Sequence, residues 1–356
     1  MSFEVGKWYT RASILAELPG ADLVGAFAIL GDRAACFVEL GPSAGTPQFS
    51  DRSTLYWPSA CPVAVTARGM RIDLFVRDDA LDAFEYLGES MVVSFSVGGQ
   101  ADARFHLHTP LPRSTWLGFY EDSGGAPLRP PAETAIAALP PDAGAGPRMA
   151  ALRAFVEAWH EVTLPAAPAR PSGLEMLAML DDLMRRTPHL VVQNTVLPVE
   201  DRTPIEGRVI FYMENQGVCE WATEPTGDDP PVWYRECEPG APWQREAEPL
   251  SGFLLQLVIF EAMMGTPYGA SAACVEAEVG LALEARMKPL PLGPWIWPPV
   301  GPPRFYARDG ALLRLAALDD ERTQFEVWLA AKHPRALDFA EDLAQPDQPG
   351  WDHVAF

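Results

Sequence analysis

Two histidines one residue apart are the best candidates for metal chemistry in this sequence. His106 and His108 lie on a strand-like run, where alternate side chains share one face and could present two imidazoles to one ion. Asp102 and Glu89 could approach them, but no third ligand is evident nearby, and two surface histidines on an edge strand explain the pattern as well. We therefore predict no metal ion and no cofactor.

The motifs of the common enzyme classes are missing from the sequence. His160-Glu161 begins like the HExxH motif of zinc proteases, but position 164 is Leu164, so the second histidine is lacking. Neither GxSxG nor SxxK occurs, and the phosphate-binding loops GxxxxGK[ST] and GxGxxG are missing too. We predict that the protein is not an enzyme and has no catalytic residues. An enzyme with an unrecognised or His-based metal site is kept as an alternative.

Pairs of adjacent carboxylates could supply acid–base chemistry. They occur at Asp78-Asp79, Asp181-Asp182, Asp228-Asp229 and Asp319-Asp320. Adjacent acids are usually turn or helix-surface residues, and a chain with 48 acidic residues is expected to contain several such pairs. Asp228-Asp229 is more distinctive, because Pro230-Pro231 follows it and fixes an extended path that holds both carboxylates in a defined loop. We predict a rigid turn or a partner contact there.

The net charge of −21 restricts the classes of partner. Such a charge repels phosphate backbones and anionic membrane surfaces, so we expect neither nucleic acid nor membrane as a ligand, and basic partners are favoured. The sequence has no apolar run of roughly eighteen residues or more, and its start resembles no signal peptide, which predicts a cytoplasmic protein. Its five cysteines include no CxxC pair and are expected to be reduced thiols.

Proline and glycine mark the predicted domain boundary. At 356 residues, 48% of them hydrophobic, the chain is long enough for two domains that each have a core. Residues 123–147 are rich in Pro, Gly and Ala, which is typical of a linker. We therefore predict a β-rich domain of unknown type over 1–122, a second domain over 148–344, and a loosely held tail over 345–356.

Hydrophobic periodicity predicts the elements of the first domain. We expect helices over 11–18 and 79–87, and strands over 23–30, 35–40, 63–66, 71–76, 91–97 and 103–109.

The second domain is predicted to mix helices and strands. Helices are expected over 149–162, over 173–186 with Ser172 as its cap, over 251–264 with Ser251 as its cap, and over 272–287. The helix over 251–264 has so few polar positions that it should be buried on most sides. Strands over 311–317 and 324–330, a last helix over 334–343, and a Pro/Trp-rich loop over 289–303 pinned to the core complete the prediction.

The stretch RVIFYMENQGVCEWA, residues 208–222, interrupts an apolar run with Glu214, Asn215, Gln216 and Gly217. These residues could form a catalytic loop, a ligand contact or the corner of a hairpin. We favour the corner, because Gly217 can adopt a positive φ and the two amides can satisfy backbone groups where the strand turns. Trp221, together with Trp233 beyond the Asp228-Asp229 turn, is then expected to fasten this region to the core.

Taken together, ENQGVCEW, DDPPVW and the apolar helix SGFLLQLVIFEAMMG resemble the bacterial SUKH superfamily, relatives of a yeast regulator of cell-wall synthesis. The resemblance covers about residues 148–344 and implies an α+β fold with a central sheet packed by helices. The residues that carry the motifs are Glu214, Asn215, Gln216, Gly217, Trp221, Pro230, Pro231 and Trp233.

The same resemblance implies binding rather than catalysis. Many bacterial members look like immunity proteins that neutralise polymorphic toxins, and an acidic surface suits a basic toxin domain. We predict that the partner-binding residues are the acids Glu224, Asp228, Asp229 and Glu236. A regulatory or scaffold protein with a different partner is the alternative.

Overall fold

The structure is a computed structural model that describes residues 3–39, 48–49, 52–57, 71–78, 83–97, 100–122, 130–165, 171–202, 204–297, 301–344 and 350–355. The described chain combines helices with sheets whose strand pairs are mostly antiparallel, so the predicted α+β class is confirmed. The chain divides into two compact units, Met1–Pro127 with Ala355–Phe356, and Leu128–Val354.

The first unit is built on one nine-stranded sheet. In chain order its strands are β1 (Trp8–Tyr9), β2 (Asp22–Val24), β3 (Phe27–Leu30), β4 (Arg33–Val38), β5 (Gln48–Phe49), β6 (Thr54–Trp57), β7 (Arg71–Asp78), β8 (Ala83–Val97) and β9 (Gln100–Leu107). Their spatial order is β2-β3-β4-β7-β8-β9-β6-β5, with β1 on β8 and a parallel pair at β4 and β7. Helix α1 (Arg11–Ala16) packs Ile14 against Phe37 and Phe75, and helix α2 spans Arg113–Asp122.

The predicted helix over 79–87 is wrong where the structure describes it, because residues 83–87 begin β8. Phe84 and Tyr86 alternate into the core while Glu85 is only partly buried, a period of two that suits a strand paired with β7. The run 23–30 forms two strands instead of one, turning at Gly25 with φ +59°. The strand predicted over 63–66 lies outside the described residues.

The second unit contains two six-stranded sheets, where the resemblance implied a single central one. One has β10 (Thr195–Val196), β11 (Pro204–Ile205), β12 (Arg208–Met213), β13 (Cys219–Thr223), β14 (Pro231–Glu236) and β15 (Gln244–Pro249). The other has β16 (Tyr268–Glu276), β17 (Lys288–Pro289), β18 (Arg304–Arg308), β19 (Ala311–Ala317), β20 (Gln324–Ala331) and β21 (His353–Ala355). The helices are α3 (Thr134–Ala137), α4 (Ala145–His160), α5 (Gly173–Arg186), α6 (Leu250–Met264) and α7 (Ala277–Arg286), and Val199–Asp201 and Pro334–Ala340 are 3₁₀ helices.

The predicted linker over 123–147 is structured in its described part. Residues 134–137 form α3, whose Ile136 is fully buried, and α4 begins at Ala145. Pro147 is compatible with the helix because the first-turn N–H groups have no intrahelical partner to lose. The Pro-rich composition of residues 123–147 therefore indicates the starts of helices as well as a domain boundary.

Two further predictions in the second unit need correction. The helix predicted over 272–287 is wrong over residues 272–276, because these belong to β16 and pair with β20. The tail is not loosely held over its described end, since β21 pairs with β16 at the edge of the six-stranded sheet that contains β16 to β20. Asp352 fixes this end of the chain: its N–H donates to the Ser271 carbonyl at 2.9 Å, and its Oδ2 accepts from the Ala273 N–H at 2.6 Å.

Helix α6 forms the centre of the second unit, as its apolar sequence predicts. Fourteen of its fifteen residues are buried, because α4, α5 and both sheets pack around it. Phe253 and Phe260 lie in an aromatic cluster with Trp221 and Trp295. Trp295 is fully buried, so the described part of the Pro/Trp-rich loop is pinned to the core as predicted.

Candidate functional site

The ENQG stretch is a hairpin corner between β12 and β13. Gly217 has φ +71°, and its N–H donates to the Glu214 carbonyl at 2.9 Å. The predicted role of the two amides is wrong, because Asn215 and Gln216 are exposed. The buried carboxylate of Glu214 replaces them: its Oε2 accepts from the N–H of Gln216 at 2.7 Å and of Val218 at 3.4 Å. A charged acceptor suits two such donors better than an amide does.

The buried amide of this region belongs to Asn194, just before β10. Its Oδ1 accepts from the Asn215 N–H at 3.2 Å, and its Nδ2 donates to the Tyr212 hydroxyl at 2.8 Å. Asn194 is only 7% exposed and joins two segments that are about twenty residues apart. The sequence contained no local signal for this role, because the pairing depends on β10 lying beside β12.

The Tyr212 hydroxyl leads to a fully buried carboxylate on α6. It donates to Glu261 Oε1 at 2.6 Å, and the N–H groups of Val192, Gln193 and Asn194 also donate to this carboxylate at 2.7, 2.7 and 3.1 Å. Burial, and then the neighbouring Glu261, raise the pKa of Tyr212 well above its usual range, so the hydroxyl remains a donor. This network attaches segment 192–194 and the corner to the central helix.

Replacing Asn194 with alanine is expected to lower the free energy of unfolding by about 1–3 kcal/mol, because the Tyr212 hydroxyl and the Asn215 N–H lose a buried partner. Asn215→Ala is the matched control on the same corner. Its exposed side chain predicts a change within about 0.5 kcal/mol. Urea unfolding of both variants measures the difference, and equal losses would show that the corner depends on the Asn215 amide instead.

The Asp228-Asp229 loop is a rigid turn that caps α6. Asp229 accepts from the Ser251 N–H at 2.9 Å and from its hydroxyl at 2.7 Å. On the other side, a Cβ at Gly173 would lie 2.7 Å from the Pro230 ring, so the turn is tightly packed against the start of α5. Ser251, predicted as the cap, lies inside the helix and is itself capped. Asp229 is therefore committed to the fold, whereas Asp228 is exposed.

The strand register separates the four predicted partner-binding acids. Thr223 pairs with Val232 at one end of the β13–β14 ladder, and Cys219 pairs with Glu236 at the other. Four residue steps separate these ends, roughly 13 Å along the strands. Glu224 and Asp228 lie at the first end and Glu236 at the second.

The two motif tryptophans point to opposite faces of the sheet. Trp221 is fully buried in the core, as predicted. Trp233 pairs with Ala222, the residue after Trp221, and therefore lies on the outer face of the sheet. The prediction that Trp233 fastens the turn to the core is wrong. The Arg208 guanidinium stacks 4.4 Å from its ring centre and 5.6 Å from that of Trp243. These cation–π contacts stabilise the position of the Arg208 side chain against the outer face of the sheet.

A cleft of about 460 Å³ opens where the ENQG corner meets the end of β14. We call it the corner cleft; its lining residues are Gly217, Val218, Cys219, Tyr234, Glu236, Cys237, Glu238 and Trp297. Val218 is 52% exposed, and Trp297 packs edge-on against Trp221 with ring centres 5.9 Å apart. Glu236 and Glu238 are exposed and have no ion-pair partner within the described ranges. Apolar walls and an anionic rim suit a long cationic side chain.

The thiols of the corner cleft are poor nucleophiles. Burial, followed by neighbouring acidic groups, raises the pKa of Cys219, and burial also raises the pKa of Cys237. Both remain protonated thiols at neutral pH, whereas reactive cysteines need a lowered pKa. Cys219, Cys237 and Cys274 are free thiols.

His106 and His108 are both exposed and have separate neighbours. His106 Nδ1 lies 3.3 Å from the Thr54 hydroxyl, and His108 Nδ1 lies 3.6 Å from the Glu89 carboxylate. In the part of the chain that the structure describes, no group of three His, Cys, Asp or Glu side chains could hold a metal ion.

No protein-family model and no curated protein matches this chain. Among the described helices, none has both the length and the apolar character needed to cross a membrane.

Proposed function

We propose that this protein is a non-enzymatic binding module that takes up a basic protein partner at the corner cleft. More specifically, we propose that it is a cytoplasmic immunity protein that neutralises a cognate toxin of a polymorphic toxin system. The observation that carries it is a pair of exposed carboxylates, Glu236 and Glu238, beside the apolar side chains of Val218 and Trp297. These carboxylates make no ion pair with any residue that the structure describes.

Charge and shape act at different stages of this binding. The net charge of −21 attracts a basic domain over a long range and raises the rate of encounter. In the cleft, the alkyl stem of a Lys or Arg side chain would cover Val218 and Trp297, while its charged end meets Glu236 and Glu238. The Glu214 bonds hold the corner in place before binding, so little ordering entropy is lost on association. The resemblance of the ENQGVCEW and DDPPVW motifs to those of SUKH proteins supports the immunity role.

The strand register supplies a matched test. A double variant, Glu236→Lys with Glu238→Lys, reverses the rim of the corner cleft, and Asp228→Lys reverses an exposed acid at the opposite end of the same strands. We expect the wild type and Asp228→Lys to recover one basic protein stoichiometrically from the native host. The double variant should bind that purified partner at least ~10-fold more weakly, equivalent to 1.4 kcal/mol or more.

Two outcomes would contradict the proposal. Recovery of no stoichiometric basic partner would remove the binding function itself. A greater loss for Asp228→Lys than for the double variant would move the binding surface to the opposite end of the sheet. Thermal melts of all three proteins establish that the exposed substitutions leave the fold intact.

A further inference from the structure

A second cleft in the same unit has the opposite electrostatic character. It has a volume of about 560 Å³ and lies between the start of α3, the end of α7 with β17, and the β18–β19 turn. Arg286, Lys288 and Arg308 line it, together with Glu133 and Asp309. We call it the basic cleft. Three cationic side chains on one cleft contrast with a chain that has 27 basic and 48 acidic residues.

Glu133 is the unusual group of the basic cleft. The residue is only 4% exposed, and its Oε1 accepts from the Gly310 N–H at 3.0 Å. Its Oε2 is buried and has no hydrogen-bond partner among the residues that the structure describes. Burial raises the pKa of this carboxyl. Buried polar atoms are nearly always paired in folded proteins, so the unpaired Oε2 of a residue that lines a cleft indicates a missing donor.

The cations differ in how far they are already engaged. Arg286 donates to Asp342 Oδ2 at 2.8 Å and to the Phe339 carbonyl at 2.6 Å. Arg308 donates to the Arg286 carbonyl at 3.0 Å and to Asp309 Oδ2 at 3.3 Å, and it stacks 5.1 Å from the Phe339 ring centre. Lys288 is exposed and makes no ion pair within the described chain. The two arginines are thus held in place, and Lys288 is left to bind an anion.

We infer that the basic cleft binds a free α-amino acid, with Lys288 and Arg308 holding its carboxylate and Glu133 accepting from its ammonium group. A ligand with both charges satisfies the cationic rim and the unpaired Glu133 oxygen together. A simple anion such as phosphate would meet repulsion from Glu133 and Asp309. The volume is in the range of small-molecule sites, and Thr134, Ala137 and Ala138 offer a wall for an aliphatic side chain.

Calorimetry on the full chain with each standard amino acid tests this inference. We expect at least one aliphatic amino acid to bind with a Kd below ~1 mM. With L-leucine as the probe, 4-methylpentanoate lacks the ammonium group, 3-methylbutylamine lacks the carboxylate, and each is expected to bind at least ~10-fold more weakly.

Variants localise the site without disturbing the buried carboxyl. Lys288→Ala should weaken binding of the amino acid at least ~10-fold, and Lys332→Ala, at an exposed lysine outside the cleft, should leave it unchanged. Absence of binding up to ~10 mM for every amino acid would overturn the inference. So would equal binding by the two single-charge analogues or by inorganic phosphate, or a Lys288→Ala variant that binds like the wild type.

Discussion

Glu261→Leu is expected to lower the free energy of unfolding by about 3–5 kcal/mol, the largest effect of a single substitution that we predict. The buried carboxylate accepts from three consecutive backbone N–H groups and from the Tyr212 hydroxyl. Leucine is apolar and similar in size, so all four donors lose their partner at once. The loss of these hydrogen bonds should destabilise the fold by more than the removal of a buried acidic group stabilises it.

The matched control is Glu278→Leu on α7, an exposed acid on another helix of the same unit. Its replacement should change stability by no more than about 0.5 kcal/mol. Urea unfolding with an unchanged m value would assign the difference to the folded state. A Glu261→Leu variant as stable as the wild type would show that water replaces the carboxylate at segment 192–194.

The stability of this protein is expected to depend on pH through Glu246, which is 3% exposed on β15. Burial raises the pKa of Glu246 from 4.5 to about 7, although the Trp221 Nε1–H and the Ile296 N–H both donate to it. Between these pH values the folded protein holds a proton that the unfolded chain has released. Stability from this group is therefore full below pH 4.5 and is lost as the pH rises through 7.

Glu246→Gln removes this titration, so the variant shows how much the titration of Glu246 contributes to the unfolding free energy. The difference in unfolding free energy between variant and wild type should shift by about 2–3 kcal/mol in favour of the variant from pH 5 to pH 8. The variant must be compared with the wild type at each pH, because the titration of His160 changes the stability of both proteins in the opposite direction. Burial, with a smaller effect of Lys332, lowers the pKa of His160 to about 4, so its contribution is lost as the pH falls from 6.5 to 4.

Denaturant unfolding at several pH values measures how the unfolding free energy changes with pH through Glu246 and through His160. His160→Gln is the complementary variant, and it should remove the loss of stability below pH 6.5 while leaving the decrease near pH 7. Parallel pH profiles for Glu246→Gln and the wild type would contradict the assignment to Glu246.

Several features could be predicted from local sequence because local physical chemistry determines them. The apolar composition of 251–264 allowed no exposed face, and Gly217 provided the positive φ that the ENQG corner requires. Ser172 was predicted as a cap, and it forms a capping box with Glu175 at the start of α5. The run 79–87 was misread because its apolar spacing fits a short helix as well as a strand, and only pairing with β7 distinguishes them.

The sequence alone determined the mixture of helices and strands, the buried central helix and the hairpin corner, since these follow from periodicity and from the backbone freedom of single residues. Only the tertiary structure decided which acids are free. It assigns Asp229 to a helix cap, buries Glu246 and Glu261, and places Asp228 and Glu236 at opposite ends of two strands. These outcomes depend on strand register and on contacts between distant segments, which a short window of sequence does not contain.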